Sequence, residues 1–113
     1  MKIQVTQKHI ELAPKLFKKG RQANECCPIA CAVAEKFPKQ TVSVGWCDTV
    51  NNKKSHNLFH DFFYISLKNK KDEVKELDIV NKEECSKFAE KYDNGEKVNP
   101  FEIQIQKGKY ENI

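Results

Sequence analysis

Apolar and polar positions alternate from the first residues. Ile3 and Val5 share one face and Lys2 and Gln4 the other, which is the period of a half-buried strand. Thr6 follows as an N-cap, its hydroxyl placed to accept from a first-turn amide of a helix carrying His9, Ile10 and Leu12. Pro14 is expected to interrupt that helix or to begin another short turn, because proline lacks a donor and crowds the preceding turn. The polar stretch from Lys18 to Asn24 reads as a loop. A second helix then starts at Cys27, with Pro28 at the first helical position, where a missing N–H costs nothing. Ile29, Ala30, Val33, Ala34 and Phe37 form its apolar stripe, the small alanines allow close approach to a sheet, and Pro38 ends it.

Thr41 to Val50 is β-branched and alternating, with Val42, Val44 and Trp46 on one face, and Asn51 to Lys54 reads as a hairpin turn. The return strand is expected from about Leu58 to Leu67. Phe59, Phe63, Ile65 and Leu67 face one way on it, with Asp61 as the polar exception, and His60, Phe62 and Tyr64 face the other. Two apolar faces predict a central strand, or one whose second face meets a ligand or another subunit. After a turn at Lys68 to Asp72, a short strand is expected between Val74 and Val80. Asn81-Lys82-Glu83-Glu84 resembles a capping box, with Asn in place of Ser or Thr. It leads into a helix that buries Cys85, Phe88, Ala89 and Tyr92 and ends at Gly95. Phe101, Ile103 and Ile105 alternate in a last strand. The predicted fold class is α+β: a mostly antiparallel sheet of four to five strands with about three helices packed on it, in a single compact domain over residues 1–113.

Composition narrows the picture modestly. A chain of 113 residues is long enough to build a core without metal or disulfide. No apolar run approaches the ~18 residues of a membrane span, and the opening residues lack a basic segment followed by an apolar one. No membrane association and a cytoplasmic location, in the host cell, are expected. The five cysteines form an odd count without a disulfide-framework spacing, so reduced thiols are expected. The net charge of +4 arises from 20 basic residues, all but one of them lysine, against 16 acids. The lysines are scattered and interleaved with acids, so nucleic acid is not an expected partner.

Candidate chemistry centres on the start of the second helix. Exposed amides at a helix N-terminus carry about half a positive charge and form a seat for phosphate. Asn24 and Cys27 lie at that seat, and the single arginine, Arg21, is near enough in sequence to clamp an anion. Cys27 as a plain capping residue and Arg21 as a solvated loop residue are the structural alternatives, and Glu25 competes for the positive end. A thiol at this position could have a lowered pKa, with His9 or His60 as its base, yet no signature ties such a pair together. Metal ligation by Cys26, Cys27 and Cys31 with His56 and His60 is disfavoured, because histidines four apart on a strand are ~13 Å from each other. Neither metal nor cofactor is expected. Trp46 is by default a core residue, but at a strand end it could stack on a base, with Phe62 or Tyr64 near it across the hairpin. His60 shares a face with Phe62 and is a candidate ligand contact or a partly buried structural histidine.

Three segments together resemble a group of short phage-encoded proteins: Val5-Thr6-Gln7-Lys8-His9-Ile10, then Cys27-Pro28-Ile29-Ala30-Cys31-Ala32, then Asp93-Asn94-Gly95-Glu96-Lys97-Val98-Asn99-Pro100-Phe101. The group looks like V-T-x-x-H-I, C-P-[IV]-A-x-A and D-x-G-x-x-V-x-P-F in that order. Cys31 departs from it, since leucine is the commoner residue there. The resemblance implies a phage origin, and small phage accessory proteins often counter host immunity. The expected function is therefore a non-enzymatic counter-defence protein that binds and sequesters a nucleotide-derived host signal, with Arg21, Asn24, Cys27, Trp46, His60 and Tyr64 as ligand-binding residues. A homo-oligomer, a dimer or higher, is expected, because pockets of such sponges often form between copies. The competing expectations are an anti-CRISPR-like inhibitor that binds a host effector or nuclease, and a small nucleic-acid-binding phage accessory protein.

Overall fold

The alternation of Ile3 and Val5 becomes β1 (Lys2–Val5), in which both side chains are buried and Lys2 and Gln4 are exposed. The computed structural model describes residues 1–20, 26–46 and 63–106. The expected hairpin turn at Asn51 to Lys54, the strand residues up to Phe62, and the site residues Arg21, Asn24 and His60 lie outside the described residues.

Helix α1 (Gln7–Lys18) runs through Pro14 without a break, contrary to expectation. Pro14 lies on the exposed side, where the carbonyl that loses its intrahelical donor can turn to water, and Ala13 beside it is buried. The helix start gives the Thr6-x-x-His9 spacing of this chain a physical role. Thr6 N–H donates to His9 Nδ1 at 2.9 Å, and the Thr6 hydroxyl lies 3.0 Å from the same nitrogen. His9 thus takes the role that Glu or Gln plays at the third position of a capping box.

Helix α2 (Pro28–Lys36) is buried on almost every side from Pro28 to Val33 rather than along one stripe. It packs on α1, on β1 and on β2 (Thr41–Trp46). Strand β3 (Phe63–Lys68) is central, the first of the two arrangements its apolar faces allow, between β2 and the short β4 (Val74–Glu76). The antiparallel register sets Thr41 opposite Lys68, Val44 opposite Ile65 and Trp46 opposite Phe63. Helix α3 (Lys82–Asp93) packs on β3, and β5 (Phe101–Gln104) pairs antiparallel with β1, Ile3 opposite Ile103.

The class is α+β, with three helices and five strands among the described residues. The strands form two antiparallel sheets, β1-β5 and β2-β3-β4, instead of one. The division follows from a change of partner inside the segment predicted as one strand. Leu77 N–H still bonds to Ile65 O at 2.8 Å, but Ile79 bridges to Ile105 and Val80 N–H donates to Gln104 O at 2.7 Å. This segment hands the chain from one sheet to the other after too few residues for the ladders to fuse. One apolar core joins the halves, with Ile3, Val5 and Ile103 from one sheet, Val42, Phe63, Ile65 and Leu67 from the other, and Ile29 and Val33 of α2 between them.

Asn81 precedes α3 but is not its capping-box acceptor. Its Nδ2 donates to Glu84 Oε1 at 2.6 Å and to Glu102 O at 2.8 Å, and its Oδ1 accepts from Gln104 N–H at 2.8 Å. The side chain imitates a strand backbone and ties the start of α3 to β5. At the far end, Gly95 ends the helix with φ of +77°, a conformation that suits glycine.

Candidate ligand cleft at the start of the second helix

Cys27 is the N-cap of α2, as the sequence predicts, and its thiol occupies the helix end. Ala30 N–H donates to Cys27 Sγ at 3.4 Å, and Cys26 to Ala30 are all buried. Burial pushes the Cys27 thiol up to about 12, against the lowering by the Ala30 and Ile29 amides. Desolvation therefore wins over the hydrogen bonds and helix end that lower a catalytic cysteine. Cys85 is likewise pushed up to about 12, chiefly by burial. Cys26, Cys27, Cys31 and Cys85 are reduced thiols.

Beside this helix start lies an open cleft of about 440 Å³, within the range of small-molecule sites. Its walls come from the last turns of α1, with Pro14, Phe17 and Lys18, and from the end of α3, with Tyr92 and Asp93; Cys26 and Cys27 form the α2 side. Phe17 is 59% exposed, unusual for a phenylalanine. Partial burial raises the Asp93 carboxyl above the ordinary value. Tyr92 is raised first by desolvation and then by the neighbouring cysteines. Phe17, Lys18, Tyr92 and Asp93 were not among the residues the sequence singled out for binding. The signal available was the D-x-G pattern at Asp93 to Gly95, which the fold brings to the C-P-I-A helix start.

The structure does not bring Trp46 and Tyr64, the other predicted site residues among those described, to the cleft beside Cys27. Trp46 Nε1 donates to Ser86 Oγ of α3 at 2.7 Å, and its ring meets Phe63 edge-on with centroids 5.5 Å apart. Tyr64 stands opposite Gly45, whose missing side chain leaves room for it: a Cβ there would come within 3.2 Å of the Tyr64 hydroxyl. Trp46 and Gly45 are consecutive on β2, so Trp46 and Tyr64 lie on opposite faces of the sheet and cannot cover one base together.

His9, the other imidazole considered, is buried within the helix start. Nδ1 accepts from Thr6 N–H, so Nε2 carries the proton. Nε2 lies 3.0 Å from Glu35 Oε2 but meets the carboxylate obliquely, short of an aligned hydrogen bond. The contact, with Lys8 adding to it, holds Glu35 below the ordinary glutamate value. Among the described residues no group of three His, Cys, Asp or Glu side chains is arranged to hold a metal ion, and no helix is long and apolar enough to cross a membrane. In comparisons with protein-family models, curated proteins and solved structures, nothing matches this chain.

Proposed function

We propose that the protein is a phage counter-defence protein that binds a nucleotide-derived host signal and sequesters it without cleaving it, in the cleft between the end of α1, the start of α2 and the end of α3. The observation that carries this reading is the convergence of residues distant in sequence, Cys26 and Cys27 with Tyr92, Asp93 and Gly95, on one cleft of about 440 Å³. Phe17 and Tyr92 offer faces for a base, Lys18 a cation for phosphate, and the partly desolvated Asp93 a group for base or ribose hydrogen bonds. Arg21 and Asn24 follow Lys18 closely in sequence and extend the same chemistry. Capture without turnover agrees with thiols kept neutral by burial and with an imidazole engaged in a helix cap.

The test is a thermal-shift screen of cyclic dinucleotides, cyclic ADP-ribose isomers and linear ADP-ribose conjugates. A ligand at a hundredfold excess over its dissociation constant raises stability by ~2.7 kcal/mol. The expected result is a shift with one class and recovery of that ligand intact after denaturation. Phe17→Ala should weaken binding roughly tenfold, the scale of one lost stacking contact, with the apo midpoint unchanged. A ligand returned cleaved makes the protein an enzyme, and no shift with any class transfers the exposed Phe17 to a protein partner.

A further inference from the structure

Four of the lysines that look scattered in sequence meet in space. Lys39, Lys70, Lys71 and Lys75 line one groove of about 520 Å³ between the turn after α2 and the β3–β4 turn. Among the described residues Glu73 is the one acid in its lining, so four lysines against one carboxylate give this lining a net charge of +3. The neighbouring Asp72 is engaged by Lys68 at 3.4 Å. Both walls are built rather than loose. Asn69 Oδ1 accepts from the backbone of Lys71 at 2.9 Å and of Glu73 at 3.0 Å, which fixes the turn carrying Lys70 and Lys71. On the other wall Gln40 N–H donates to Phe37 O at 3.0 Å, and Phe37 is anchored in the core. The groove lies at the C-terminal end of α2, one helix length or about 14 Å from the cleft at its N-terminal end.

The geometry points to a second activity: sequence-independent binding of the phosphodiester backbone of double-stranded nucleic acid in this groove. Among the described residues the lining has charge but no anchor for a protein partner, since none of them there is an aromatic or an arginine and the leucine, Leu67, is buried. Without an aromatic face there is nothing to stack on unpaired bases, so the higher charge density of a duplex is preferred over a single strand. Lysine ammonium groups act as point charges on phosphate and read no base pattern.

The experiment is fluorescence anisotropy of the full chain with a labelled mixed-sequence DNA duplex. Four lysine–phosphate contacts give a log–log salt slope near −3.6, a loss of roughly a hundredfold between about 50 and about 200 mM salt. Lys70→Glu/Lys71→Glu/Lys75→Glu should lose binding at least tenfold at the lower salt, while Lys15→Glu on α1 stays within a few-fold of the parent. The single Lys39→Glu, on the opposite wall, weakens binding as well and keeps the test decisive if the triple variant does not fold. No duplex binding at low salt overturns the inference, as does equal binding by parent and groove variants. Tighter binding of the matching single strand overturns the backbone-only mode, and displacement of duplex by micromolar tripolyphosphate assigns the groove to a small polyphosphate.

Discussion

Cys27 occupies a position where two effects oppose each other. A helix N-terminus stabilises a thiolate, and removal from water destabilises it; with the thiol pushed up to about 12, burial decides. A group whose folded pKa is raised holds its proton in the native state after the unfolded chain has released it. The stability tied to neutral Cys27 is therefore fully present below the ordinary thiol range and declines as pH rises through that range toward about 12. Urea unfolding at about pH 8 and about pH 10 measures this, with Cys27→Ser, which keeps a capping oxygen and has no thiol, as the reference. The parent should lose about 1–2 kcal/mol more than the variant between the two conditions, since one pKa unit corresponds to ~1.4 kcal/mol. Equal losses would mean that the thiol ionises in the folded protein, and would reopen a nucleophilic role. Glu35 shows the converse sign: its depressed carboxyl contributes stability above the ordinary glutamate range that is lost on acidification.

Elements were legible in the sequence where a local pattern sets them, and less so where a distant partner does. The period-2 runs at Ile3 and Val5, at Val42 and Val44, and at Ile65 and Leu67 locate strands because burial of one face needs no knowledge of the partner. Cys27-Pro28 locates α2 because cap and first-turn proline are local chemistry. Pro14 misleads because its cost of about 3 kcal/mol is a local term, and the packing of α1 on α2 overrides it. Asn81 misleads in the opposite way, since a capping residue by local rules spends its side chain on a strand. This distinction is measurable. If Asn81 acted as a cap, serine would replace it with little loss. The bonds to Glu102 O and Gln104 N–H instead require an amide of asparagine length, so Asn81→Ser and Asn81→Ala should both cost about 1–3 kcal/mol in urea unfolding. Recovery of parental stability by serine would restore the capping role.

At the scale of the whole molecule, candidate sites are set by which segments meet, and periodicity carries no such information. The faces of Trp46 and Tyr64 were readable from alternation, but neither the Ser86 partner forty residues away nor the separation of the two rings by the sheet could be read from it. The same holds for the cleft, where periodicity did not mark Phe17 and gave Tyr92 as core, and for the lysines gathered from two turns and β4. Trp46 now allows the two possible locations of a base to be separated. Its indole joins β2 to the buried Ser86 of α3, so Trp46→Phe keeps most of the ring contact with Phe63 and removes this hydrogen bond. The loss expected is about 1–3 kcal/mol, because a buried hydroxyl then lacks this donor. A nucleotide held between Phe17 and Tyr92 does not touch that seam, so the ligand-induced rise in midpoint should persist in Trp46→Phe although both midpoints fall. If the rise disappears while the variant remains folded by circular dichroism, the base rests at Trp46 and the cleft at the start of α2 is not the site.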